Sequence, residues 1–90
     1  MKKLINHELI ANREAEMLQT IINKCKALMP DETHNSYYIL EDLVMAMQEM
    51  AWMSESSIRR GEMGMATWPL NRFMKLRNEF VQVFEETVKK

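Results

Sequence analysis

Apolar residues recur along this chain at three- and four-residue steps, in runs divided near Pro30 and Gly61. That recurrence keeps side chains on one face of a 3.6-residue helix, so each run predicts an amphipathic helix. In residues 6–29, Ala11, Leu18 and Cys25 repeat by seven, and Ala15, Ile22 and Met29 do the same one helical step away. Ile21 and Leu28 flank them, which makes a coiled-coil-like seam. Arg13, Glu14, Glu16, Gln19, Asn23, Lys24 and Lys26 mostly avoid it. Asn6 is the expected N-cap, with Glu8 in the first turn and Ile5 and Ile10 as a hydrophobic staple.

Residues 30–35, PDETHN, are read as a turn. Pro30 cannot continue the hydrogen-bond ladder and disfavours helical geometry at Met29. Asp31, Thr33, Asn35 and Ser36 are all competent caps for the next helix. So short a connection makes the two helices antiparallel neighbours, a helical hairpin.

Residues 36–60 organise the chain. Leu40, Leu43, Met47, Met50 and Ala51 form one face at three- and four-residue steps. Tyr38, Met45 and Trp52 recur at seven-residue steps beside or opposite that face. A helix apolar over most of its circumference must be covered on most of it. The rest of so small a chain covers one side. The second side predicts a partner, most simply another copy, with Tyr38, Met45 and Trp52 as the oligomer or partner interface.

Gly61 follows the last turn of this run, with Arg59 and Arg60 near the carbonyl end, as at a helix C-terminus. Residues 61–68 are read as a loop, and Pro69 as the first position of a third helix over 69–88 capped by Thr67 or Trp68. Phe73, Leu76, Phe80, Val83 and Phe84 make its apolar face. No segment alternates in the way of a strand. The expected fold is one all-α domain, a long antiparallel helical hairpin plus a C-terminal amphipathic helix.

Composition narrows the function. The net charge of −1 argues against non-specific binding to DNA or RNA, which needs a basic face. The single cysteine, Cys25, allows no intrachain disulfide and suits a reducing compartment. The first residues carry two lysines but no apolar run of signal-peptide length, and no stretch approaches the roughly 20 apolar residues of a membrane span. The expectation is a cytoplasmic protein with no membrane partner.

No nucleophile elbow, phosphate loop or HExxH motif is present, so no catalytic residue is assigned. His7 and His34 lie far apart without a second ligand at helical spacing, so no metal and no cofactor are expected. Cys25 on the seam reads as a small core residue. Six of the ten methionines fall between Met45 and Met65, which suits either core packing or an adaptable groove for a partner helix. An antiparallel hairpin brings Lys24 and Lys26 near Thr33, His34, Tyr37 and Tyr38. A lysine, a hydroxyl and an aromatic ring together are the chemistry that holds a nucleotide.

The run from Ile10 to Arg60 resembles a phage hairpin domain of the anti-CBASS cyclic-nucleotide sponge proteins, also found as a hairpin in some Thoeris inhibitors. The resemblance is carried by Leu28-Met29-Pro30, Ser36 six positions on, Leu40-Glu41, Met50-Ala51-Trp52 and Ile58-Arg59-Arg60, about half the chain. It implies a helical protein that assembles as a homo-oligomer in the host cytoplasm. It also implies that the protein sequesters cyclic di- or trinucleotide immune signals without cleaving them. Lys26 then supplies the family's lysine and Thr33 its hydroxyl. The N-terminal aromatic has no counterpart, and His7 or Tyr37 stands as the stacking candidate. The competing reading from the residues themselves is a small helical inhibitor or adaptor that docks its Met/Trp face on a host protein.

Overall fold

The computed structural model describes residues 2–89; the side chains of residues 2–12, 14 and 63 lie outside the described residues. Three helices make up the described chain, with no strand among the described residues: α1 spans Lys2–Ala27, α2 Asn35–Arg59 and α3 Met63–Val88. The fold is all-α. Helix α2 packs on both neighbours, more extensively on α3 than on α1.

One core joins the three. Leu18, Ile22 and Cys25 enter it from α1, Leu40, Val44 and Met47 from α2, and Phe73, Leu76 and Phe80 from α3. Each triple follows the i, i+3 or i+4, i+7 spacing that places three side chains on one stripe. Leu43, Met50 and Ala51 pack at its margin, as do Val83 and Phe84. The face expected for α2 thus shifts by a small rotation, bringing in Val44 at its centre.

The helix ends explain the remaining differences from the sequence reading. Helix α1 begins at Lys2 rather than near residue 6 and its last helical residue is Ala27. The first cap of α2 is His34, whose Nδ1 accepts from the Ser36 amide at 3.1 Å; none of the smaller polar residues around it takes that role. At the other end of α2, Gly61 has φ +76, the left-handed region where a glycine costs least. Its amide donates to the Ile58 carbonyl and the Glu62 amide donates to that of Ser57, the paired bonds of a Schellman motif.

The expected loop over 61–68 is shorter. Helix α3 starts at Met63, so Pro69 lies inside it rather than at its first position. A proline there removes one donor and costs about 3 kcal/mol in an isolated helix. Tertiary packing overrides that cost: Pro69 is among the most completely buried residues, in the stretch where Ile58 and Ala66 form a second small cluster. Ser54, wholly buried on α2, donates from Oγ to the Ala66 carbonyl at 3.4 Å, in the turn that precedes the proline ring.

A candidate docking trough between α1 and α2

Lys26, at the end of α1, and Tyr37, in the first turn of α2, line one cavity of about 680 Å³. Met29 and Pro30 close it at the hairpin end, and Val44, Met45 and Gln48 carry it along α2. Gln48 also borders a second cavity of about 360 Å³, where Ala15, Glu16 and Gln19 of α1 face Ala51, Trp52 and Glu55 of α2. The pairing of early α1 with late α2 is that of an antiparallel hairpin. Gln48 lines both cavities, and their α2 residues run as one stripe from Tyr37 to Glu55, so the cavities lie end to end as a trough. That is eighteen residues of helix, about 27 Å at 1.5 Å per residue.

The trough has apolar walls and an acidic rim. Tyr38, Met45 and Trp52, the seven-residue line of α2, are 65%, 59% and 66% exposed. Met45 and Trp52 project along the trough, whereas Tyr38 stands outside the lining with its ring edge-on to that of Tyr37, centroids 5.7 Å apart. Asp31, Glu32 and Glu41 line the first cavity with Lys26, and Glu16 and Glu55 line the second. Glu55 is held by Arg59 at 2.7 Å. The Glu41 carboxylate, hydrogen-bonded to the Tyr37 hydroxyl, raises the Tyr37 pKa, and burial and the same negative charge add to the shift. Lys26 is therefore one cation among five lining carboxylates.

The four residues expected to hold a nucleotide are only partly brought together. Lys26 and Tyr37 share the trough. Thr33 is exposed in the turn and is not among the residues lining it. The side chain of His7 lies outside the described residues. Lys24 does not join Lys26 at the hairpin end: two positions away on a helix is about 200° around, and Lys24 lines a cleft against α3 with Arg77 and Phe80. The rim carboxylates were not singled out from the sequence, where Glu41 and Asp42 look like a solvated helix face. The antiparallel register of the hairpin was the signal that could have found them, because it sets Glu41 beside Lys26.

Among the described residues no three His, Cys, Asp or Glu side chains gather to hold a metal ion, and no helix is long and apolar enough to cross a membrane. Cys25 is 5% exposed, and burial raises its thiol pKa while the Arg77 charge pulls the other way. Comparison with known protein families, curated proteins and solved structures finds no match to this chain.

Proposed function

We propose that the protein acts by binding rather than catalysis, and that the trough between α1 and α2 docks an amphipathic helix with basic flanks. The composition of the trough carries this reading. Met29, Met45 and Trp52 offer adaptable thioethers and a large aromatic anchor, the residue types that dominate helix-in-groove recognition. The rim of Glu16, Asp31 and Glu41 rejects an acidic partner and favours lysines and arginines. A length of about 27 Å takes about five turns of helix. For a small inhibitor or adaptor, a host protein is one source of such a helix.

The test uses Trp52 as the reporter in a Trp68→Phe background, since both tryptophans are exposed and both emit. A synthetic helical peptide, apolar on one face with Lys and Arg on its rims, is titrated against an otherwise identical peptide with Glu on its rims. Tighter binding of the basic peptide by about tenfold or more, weakening with salt, is expected. Equal binding of the two peptides, or none, overturns the reading.

A second reading keeps the resemblance: a phage protein in the host cytoplasm that sequesters a cyclic di- or trinucleotide signal. The observation favouring it is that Lys26 and Tyr37 line one cavity of about 680 Å³, a size that suits a small ligand. The carboxylates of Asp31, Glu32 and Glu41 in that cavity oppose a phosphate, which places this reading second. A thermal-shift screen with cyclic di- and trinucleotides tests it: ligand at 100 times its dissociation constant adds about 2.7 kcal/mol. No shift with any of them removes it.

A further inference from the structure

We infer that the helix the trough takes is the first half of α3 from a second copy of this chain, which rests on the reading of the trough as a helix-docking site. Met65, Trp68, Arg72 and Lys75 follow one another at steps of three and four residues, one stripe of a helix. All four are exposed, Met65 at 58% and Trp68 at 51%, on a side of α3 next to the one it buries through Ala66, Phe73 and Leu76. The stripe is about 15 Å long and fits within a trough of about 27 Å. It has the chemistry that complements the trough: two large apolar side chains for its apolar walls next to two cations for its acidic rim. The second half of α3 carries Glu79, Glu85 and Glu86 and does not fit an acidic rim.

Charge also decides between modes of self-association. Pairing α2 against α2 would bring Glu41, Asp42 and Glu49 of one copy against the same residues of the other. Like charges across an interface cost several kcal/mol. Docking α3 in the trough instead sets Arg72 and Lys75, one helical turn apart, against the carboxylates gathered at one end of it, Asp31, Glu32 and Glu41. The stripe and the trough lie on different elements, so two copies close as a two-fold dimer only when each docks its stripe in the other's trough at once; where a single contact forms, the open stripe and trough carry assembly on to a ring or a chain.

Sedimentation of the full chain at micromolar concentration and low salt, with two charge-reversed variants, tests this. The stripe variant is Arg72→Glu with Lys75→Glu, and the trough variant is Glu32→Lys with Glu41→Lys. All four positions are on the surface or half-buried, and circular dichroism checks that the helices persist. The parent is expected to assemble, as a reciprocal dimer or larger, and to dissociate as salt rises. Each variant alone is expected to sediment as a monomer, its self-affinity reduced at least about tenfold. An equimolar mixture of the two regains assembly, since the acidic stripe of one meets the basic trough of the other. A monomeric parent, assembly surviving either reversal alone, or a mixture that stays monomeric overturns the inference. The basic-rimmed peptide then separates two failures: if it binds the monomeric parent, the trough still docks helices and only the choice of α3 is wrong. If it does not, both readings fall.

Discussion

The two sides of α2 use nearly the same residue types to opposite ends. On the inner side, Leu40, Val44 and Met47 are at most 3% exposed, locked against α1 and α3. On the outer side, Tyr38, Met45 and Trp52 are more than half exposed. Met45 and Met47 are two positions apart and meet opposite environments. Hydrophobicity along one helix thus predicts how much of it needs covering, not which part its own chain covers. What separates the two sides is supply: α1 and α3 each bring one apolar stripe, and both stripes are spent on the inner side.

The largest expected effect is the asymmetry of truncation across α2. Phe73 is fully buried against the inner side, so Phe73→Ala loses transfer energy and leaves a cavity, at a cost of about 3–5 kcal/mol. Trp52→Ala removes a larger side chain from the outer side, yet monomer stability should stay within about 0.5 kcal/mol. Urea unfolding under conditions that keep the chain monomeric compares the two. Similar losses for both variants would mean that the outer side is covered within the chain, and the contrast between the sides would disappear.

Lys26→Glu gives the next effect and bears on what the outer side binds. Adding a sixth carboxylate to the trough should tighten the basic-rimmed peptide by about tenfold, or about 1.4 kcal/mol. For a phosphate ligand the same change removes the cation lining that cavity and should abolish binding. The two readings predict opposite signs from one substitution, measured by titration against each ligand class. Loss of peptide binding in the variant would count against docking at this rim.

Much of the fold was legible because it depends on spacing. The core triples of α1 and α3, such as Leu18, Ile22 and Cys25, lie on stripes visible in the sequence, whereas in α2 the central Val44 was off the expected face. Pro30 and Gly61 mark real ends, since one removes a donor and the other takes a left-handed conformation. The start of α3 was not legible, because a proline inside a helix is tolerated only where packing offsets its cost, and the full burial of Pro69 appears only in the folded chain. The His34 cap was hidden by better intrinsic cappers on either side. For the site, the exposed line of α2 was visible as a period of seven, but the acidic rim was not. Glu16 and Glu32 come from different segments and converge on the trough only once the hairpin is closed.

A smaller contrast separates two serines of α2. Ser54 is fully buried on the inner side and donates to the Ala66 carbonyl at 3.4 Å, a long bond. Ser54→Ala should cost about 0.5–1 kcal/mol, since a modest bond is lost and a buried carbonyl loses its added donor. Ser56, half-buried toward the outer side, has no such partner across the helices. Ser56→Ala should be neutral or stabilising by up to about 0.5 kcal/mol through helix propensity. Thermal unfolding of the pair checks both; a destabilised Ser56→Ala would show the outer side to be more closely packed than its exposure implies.

The smallest effect probes whether the core is as closed on its α1 side as on the inner side of α2. Cys25 is 5% exposed, and burial raises its pKa above the ordinary value of 9.0, with Arg77 acting in the opposite direction. A group whose pKa is higher in the folded state keeps its proton better there. The folded chain therefore binds more protons than the unfolded chain once the pH passes about 9, and stability falls as pH rises through that window. Below it, both states hold the proton and the thiol adds no slope. Tyr37, also raised, acts in the same direction from about pH 10, so the comparison is made in a Tyr37→Phe background. There, Cys25→Ala should flatten the alkaline decline in urea-unfolding free energy between pH 8 and 10 relative to the chain that keeps its thiol. The thiol should also react slowly with an alkylating reagent until urea opens the core, because the thiolate is both disfavoured and enclosed. An unchanged alkaline slope after Cys25→Ala, or rapid alkylation in native buffer, would mean that α1 lies loosely on the core. The closed inner side would then be a property of α2 and α3 alone.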